Sequence, residues 1–254
     1  MSLLSLQSVT KSYGRTLAVN ALTLSVDPAE VVGLIGPNGS GKTTTLGIIL
    51  GLVKPDLGWA SACGIDPQID GRAARDKIGC VPDEDVLIPN LTAAEHLEFV
   101  GLLHGVRRDV IAERSRLLLD LLELTSFGNH TPEAFSFGMR KKLQLACALI
   151  HEPDLLVLDE PLNGLDAESA AIFRMILEYR QRQERSTLLA THNLQFAERV
   201  CGRIYLLSKG RVLASGEPAS VVGASGARDL EDAFLRLAVT KERHDAVEQL
   251  LARI

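Results

Sequence analysis

Residues 36 to 43 read GPNGSGKT, set directly between an apolar run, Val31–Ile35, and a segment of helical periodicity that starts at Lys42. The string fits GxxxxGK[ST] in the setting that pattern requires, a strand before it and a helix after it. Gly39 and Gly41 allow a tight turn in which successive N–H groups converge on phosphate oxygens. Lys42 adds a point charge for the β and γ phosphates, and the Thr43 hydroxyl can join a Mg²⁺ shell. The positive end of the following helix faces the same anion. Working outward from this loop, the first expectation is an α/β chain that binds a nucleoside triphosphate with Mg²⁺.

The flanking sequence agrees. Runs rich in Val, Ile and Leu recur at Leu3–Val9, Leu22–Val26, Val31–Ile35, Leu155–Leu158, Thr187–Ala190 and Ile204–Leu207 and read as strands. Val31–Ile35 and Leu155–Leu158 lack polar alternation, as in a parallel sheet covered on both faces. Helical periodicity marks Lys42–Leu52, Ala93–Leu103, Val110–Leu122, Gly138–Ile150 and Ala167–Arg180. From about Asp85 to Glu152 helix follows helix, which predicts an all-helical insertion. Arg211–Ala214 and the Gly216–Pro218 turn close the sheet region, Gly223–Arg228 reads as a linker, and Asp229–Ala238 and Lys241–Ile254 read as amphipathic helices.

With 254 residues, 46% of them hydrophobic, the chain can bury an ordinary core without disulfides or metal. Its net charge of −5 and the absence of long Lys/Arg runs argue against a nucleic-acid partner. Cys63, Cys80, Cys147 and Cys201 form no CxxC pair, so reduced thiols are expected. The start, MSLLSLQSVTKSYG, has no basic stretch ahead of an apolar core, and no window approaches about 18 uninterrupted apolar residues. The expectation is a cytoplasmic chain that meets a membrane only through a partner.

Leu155–Leu158 runs into Asp159 and Glu160, then Pro161, which stops the strand. Two acids at the end of a buried strand need a cationic neighbour. In phosphoryl transfer one such Asp holds Mg²⁺, and a neighbouring Glu orients or deprotonates the attacking water. Asp159 and Glu160 fit those roles, and His192, after the strand Thr187–Ala190, stands where a γ-phosphate sensor would.

Together these residues resemble the ABC transporter ATPase family over nearly the whole chain. GPNGSGKTT at Gly36–Thr44 looks like its Walker A, LLVLDEP at Leu155–Pro161 its Walker B, and NGLD at Asn163–Asp166 its D-loop. His192 matches the switch histidine, and Tyr13 in KSYG the aromatic that stacks on adenine. FSFGMRKKL at Phe135–Leu143 resembles the signature usually written LSGGQ, with Ser136 and Gly138 on its phosphate-contacting positions. The resemblance implies a P-loop NTPase (RecA-like) core with a mostly parallel sheet, an antiparallel β subdomain and an inserted all-helical subdomain. It implies an ATPase domain over 1–222, with its core at 1–84 and 153–222 and helices at about 85–152, and a C-terminal extension over 223–254.

The implied catalytic residues are Glu160, His192 and Lys42. The implied nucleotide contacts are Tyr13, Gly36, Pro37, Asn38, Gly39, Ser40, Gly41, Lys42, Thr43, Thr44, Asp83, Ser136, Gly138 and Asp166, with Thr43, Asp83 and Asp159 on Mg²⁺. In this family the signature contacts ATP held by the opposite subunit, which implies an ATP-dependent dimer, most simply of two copies, and a separate integral membrane permease on whose cytoplasmic face the ATPase sits.

Two positions depart from the pattern. Asp83, in IGCVPDED at Ile78–Asp85, replaces the expected glutamine, and Phe137 replaces the first glycine of the signature. A carboxylate can still take Mg²⁺ but cannot donate as an amide does. LEDAFLRL at Leu230–Leu237 resembles the tail of ABC-2 type export ATPases, and it equally fits an amphipathic helix packed on its own domain; Val247, Leu250, Leu251 and Ile254 form a last apolar stripe. The alternative left open is an ATPase of the same family that acts on ribosomes or DNA. A fused second ATPase unit or a long coiled-coil insertion would mark that class, and neither occurs here. A GTPase would need an NKxD motif, which is also missing.

Overall fold

The computed structural model describes residues 2–238. The predicted helix Lys241–Ile254 and its apolar stripe lie outside the described residues. Two sheets organise the chain. The first is antiparallel, in the order β2-β1-β4, from β1 (Leu4–Tyr13), β2 (Thr16–Val26) and β4 (Leu57–Ala62). The second contains β3 (Val31–Ile35), β5 (Ile78–Val81), β6 (Leu155–Asp159), β7 (Ser186–Thr191), β8 (Arg203–Ser208) and β9 (Arg211–Gly216), in the order β5-β6-β7-β3-β8-β9. All its neighbours are parallel except β8 and β9, which form a hairpin.

The parallel strands are buried on both faces, and alternate residues enter two separate cores. Val31 and Ile35 join Leu156, Leu158, Leu189 and Leu206 on one side, under the helices α3 (Ala93–Leu103), α4 (Arg108–Leu121), α5 (Phe137–Leu149), α6 (Ala167–Arg182) and α7 (Leu194–Val200). Val32 and Leu34 join Leu155, Val157 and Leu188 on the other, against α1 (Lys42–Ile49) and the antiparallel sheet. This two-sided burial explains the unbroken apolar runs.

Differences from the sequence reading are local. Helix α1 ends at Ile49 rather than Leu52, because Gly51 takes a left-handed φ of 69°. The strands β4 and β5 and the helices α2 (Gly71–Asp76) and α7 have no counterpart in that reading. The strand β4 carries Gly58 and the exposed Leu57 and Trp59, so it has no clean alternation, and β5 has only four residues. Gly223–Arg228 is not a linker throughout. Pro218 opens α8 (Pro218–Ser225) at its first turn, Val221 is buried, and Gly226, with a φ of 63°, closes it. Small residues there suggest a loop, whereas a proline at the start and a glycine just past the end are helix boundaries. Helix α9 (Leu230–Ala238) then packs on α7, α8 and β9.

No helix among the described residues is long and apolar enough to cross a membrane. Leu188 lies on the central strand β7, fully buried. Leu188→Ala should cost about 2–5 kcal/mol of stability, read as a lower urea midpoint with an unchanged slope.

Candidate active site

Strand register assembles the site. Ile35 pairs with Thr191 across β3 and β7, and Asp159 pairs with Ala190 across β6 and β7. The three strands therefore end level, and the loop Gly36–Gly41, Glu160 and His192, each next along the chain from one of them, share one edge. This is the carboxyl edge of a parallel sheet, where open α/β folds bind ligands.

The loop is tied down from several directions. The Gly36 N–H donates to the Thr191 carbonyl (3.2 Å), and the Gly210 N–H donates to the Ser40 carbonyl (2.8 Å). Two glycines are obligatory. A Cβ on Gly36 would stand 2.2 Å from the Leu207 carbonyl oxygen, and one on Gly41, at a φ of 107°, would stand 2.4 Å from that of Ala18. Gly41 caps the N-terminus of α1, leaving the first amides of that helix free for an anion.

Lys42 is 6% exposed. Its Nζ donates to the carbonyls of Gly36 (2.7 Å) and Pro37 (3.3 Å) and lies 3.3 Å from Glu160 Oε1. Glu160 is equally buried and has a φ of 45°, a left-handed conformation uncommon for a side-chain-bearing residue and typical of functional sites. The Thr191 hydroxyl donates to its Oε2 (2.9 Å), the His192 N–H reaches the same oxygen (3.3 Å), and His192 Nδ1 lies 2.9 Å from Oε1. Burial alone would raise the Glu160 carboxyl. His192, the Thr191 hydroxyl and the charge of Lys42 outweigh it and hold the group below the usual carboxylate range.

The neighbouring acid goes the other way. Burial, with the charges of Asp83 and Glu160, pushes the Asp159 carboxyl up, against the hydrogen bond from Thr43 and the charge of Lys42. The Thr43 hydroxyl donates to Asp159 Oδ2 (2.9 Å). A hydroxyl and a buried carboxylate side by side are hard oxygen donors that fit Mg²⁺, which takes one or two protein oxygens beside phosphate and water. Among the described residues no three His, Cys, Asp or Glu cluster into a metal site of their own.

Lys42, Thr43, Asp159, Glu160 and His192 thus meet as the sequence reading expects. Pro37, Asn38 and Gly39 are exposed at the mouth of the loop, whereas Ser40 is buried with its hydroxyl unpartnered and Thr44 is half-buried at the start of α1. Tyr13 ends β1, half exposed, on the hairpin whose Ala18 abuts Gly41. Asp83 stands beside the group rather than within it, and its Oδ1 accepts from Asn163 Nδ2 (3.0 Å). Ser136 caps α5, accepting from the Met139 N–H (3.2 Å), and Gly138 abuts the Gly164 carbonyl. Asp166 caps α6 through the Ser169 N–H (2.8 Å).

Three residues that the sequence reading passes over also line the site. Thr191 fixes Glu160, and Leu194 and Phe234 wall a cavity of about 260 Å³ shared with Gly36, Pro37, Asn38 and His192. A threonine directly before the histidine is the legible signal for the first. Phe234 reaches the loop only because α9 folds back. The four thiols are free, and burial pushes Cys80, Cys147 and Cys201 up to about 12 and Cys63 to about 11.

A glycine cradle, a buried lysine and a strand-end carboxylate pair on one sheet edge define a phosphate-loop nucleoside triphosphate hydrolase. The family model described as ABC transporter matches residues 19–163. A Nod factor export ATP-binding protein I of Burkholderia lata is 37% identical over 216 residues, covering 85% of this chain and 71% of the relative. The protein of the same name from Cupriavidus pinatubonensis is 36% identical over 233 residues, covering 92% and 72%. A solved ATP-binding subunit of an ABC transporter superposes with a TM-score of 0.88 at 31% identity, covering 93% of this chain and 99% of the other. An ATP-binding cassette solved as a dimer in a post-hydrolysis state bound to ADP and Pi gives 0.76 at 30% identity, covering 84% and 98%. The chain belongs to the ABC transporter family, as its ATP-binding, ATP-hydrolysing subunit.

A carboxyl raised by folding disfavours the folded state fully above its folded value, and the penalty disappears in acid below the ordinary range near about 4. Asp159→Asn, which can still accept from Thr43, should therefore stabilise the protein at pH 8 without nucleotide or Mg²⁺. The gain should shrink toward zero as pH falls below about 4, measured as urea midpoints in EDTA.

Proposed function

We propose that this chain drives export through a separate integral membrane permease, seated on its cytoplasmic face, and that it works as an ATP-sealed head-to-tail pair, most simply of two identical copies. The observation that carries the pairing is the position of α5. It packs on β5, and β5 lies three strands from β3, roughly 14 Å at ordinary strand spacing. Ser136 and the N-terminus of α5 form an anion site set aside from the chain's own phosphate loop. Ser136, Gly138 and Asp166 then serve the nucleotide of the opposite subunit.

In this reading the backbone amides of Asn38, Gly39 and Gly41–Thr44, with the Lys42 ammonium, grip the triphosphate and Tyr13 stacks on adenine. Thr43 and Asp159 would hold Mg²⁺, which would neutralise phosphate charge; Asp83, expected there too, is instead engaged by Asn163 and Lys141. Glu160, kept ionised by its neighbours, accepts a proton from the attacking water. His192, whose Nδ1 meets the same Glu160 oxygen that Lys42 faces, contacts the γ phosphate, so Glu160 and the phosphate sensor move together. Lys42 exchanges its contacts with loop carbonyls for phosphate oxygens. Hydrolysis removes contacts made only by the triphosphate and so releases the pair, a population shift driven by differential contacts.

Export is supported by relatives that are export ATP-binding proteins and by the tail Leu230–Leu237. Val86, Phe99 and Leu103, all exposed around the segment Asp83–Pro89 and α3, suit a permease contact. The ATPase domain is assigned to 1–222 with helices at about 85–152, and 223–254 to an extension that α8 (Pro218–Ser225) joins to it without a linker at that boundary. No nucleic acid is involved.

Glu160→Gln should lower ATP turnover at least ~100-fold, about 3 kcal/mol of barrier, while ATP remains bound. Near-normal turnover would remove Glu160 from its role. Lys42→Ala should abolish retention of Mg²⁺-ATP in equilibrium dialysis. Purification from membranes should bring down a multi-span protein in a fixed ratio; recovery of the chain alone contradicts the transport reading.

A further inference from the structure

Lys141 lies on α5 five residues beyond Ser136, and only 3% of its side chain is exposed. An ammonium so placed must be met by acceptors. Its Nζ donates to the carbonyls of Pro82 (2.6 Å) and Asp83 (2.7 Å) and lies 3.9 Å from Asp83 Oδ1. The same carboxylate oxygen accepts from Asn163 Nδ2 at 3.0 Å. Asn163 belongs to the turn just after Glu160, and its own N–H donates to the Glu160 carbonyl (3.2 Å). One cation, one carboxylate and one amide thus join three segments distant in sequence: the start of α5, the loop after β5 and the turn that carries Glu160.

Two further contacts run in parallel. Gln144, one turn along α5, donates from Nε2 to the Glu84 carbonyl (2.9 Å). The Phe137 ring fills the space over Gly164, where a Cβ would stand 2.1 Å from Cδ1. The segment holding Ser136 and Gly138 therefore rests on the turn holding Glu160, both directly and through Asp83.

We propose that Lys141 and Asn163 are positioning residues for ATP hydrolysis, which through Asp83 hold the Glu160 turn and the N-terminus of α5 in a single register. Neither touches the phosphate loop, so their work falls on the hydrolytic step and not on nucleotide capture. Lys141→Met keeps the volume but leaves the Pro82 and Asp83 carbonyls unmatched. Asn163→Ala frees Asp83 while leaving the backbone turn its own hydrogen bonds.

The test uses the full chain. Lys141→Met and Asn163→Ala should each lower kcat about tenfold or more, with KM for ATP and the affinity for ADP within about twofold of the parent. The double variant should be no worse than the poorer single one, as expected of two links in one chain. Hydrogen exchange on the nucleotide-free protein gives a readout independent of turnover. The amides of Asn163 and Leu165 should exchange about tenfold faster in both single variants, and those of β3 should not change. Should Lys141→Met fail to fold, Asn163→Ala, at a half-buried position, carries the test alone. Unchanged kcat in a folded variant, losses that add in the double variant, or exchange at Asn163 and Leu165 like that of the parent would each overturn the proposal.

Discussion

Lys42 and Glu160 face each other across 3.3 Å with side chains 6% and 8% exposed, and the carboxyl edge of the central sheet is arranged to supply both with partners. Removing one partner of a buried pair strands the other at a cost of about 3–5 kcal/mol. The surroundings meet that constraint from every side: two loop carbonyls for the ammonium, and a threonine hydroxyl, a backbone amide and an imidazole for the carboxylate. None of these partners is adjacent in sequence to the group it serves. Only the level ends of β3, β6 and β7 bring them together, so the fold is a precondition of the chemistry.

The two acids at the end of β6 illustrate how environment divides roles. Glu160 lies among donors and a cation and is held in its charged form, suited to take a proton from water. Asp159, one residue earlier, is paired only with a hydroxyl and is pushed toward its neutral form until a cation arrives. The unfavourable carboxylate is therefore the one that a bound Mg²⁺ would relieve. Stability given up at Asp159 is available as binding energy for metal and nucleotide.

Much of this is legible in the residues. GPNGSGKT after an unbroken apolar run places a loop at a strand end, and Asp159-Glu160-Pro161 after another such run places the acids at the same kind of position. Membership of one parallel sheet puts both at the same edge, and β7, lying between β3 and β6, sets their spacing. Contacts set by tertiary register do not show. Thr191 reads as one more strand residue until Ile35 is paired with it. Lys141 reads as one of three consecutive basic residues on a helix, yet it alone is buried, because Pro82 and Asp83 turn their carbonyls toward it. Asp83 reads as a lone substitute at a glutamine position, and its connection to Asn163 depends on a loop–turn contact that no spacing reports. The strands β4 and β5 escape a pattern search because one is edge-exposed and the other too short.

In the proposed pair the phosphate loop of one chain is completed by the α5 N-terminus of another. Light scattering on purified Glu160→Gln protein measures this most directly. Saturating ATP with Mg²⁺ should give twice the 27.5 kDa chain mass with two ATP bound per particle, and ADP should return the single-chain mass. A particle of single-chain mass that nonetheless holds ATP would contradict that pairing.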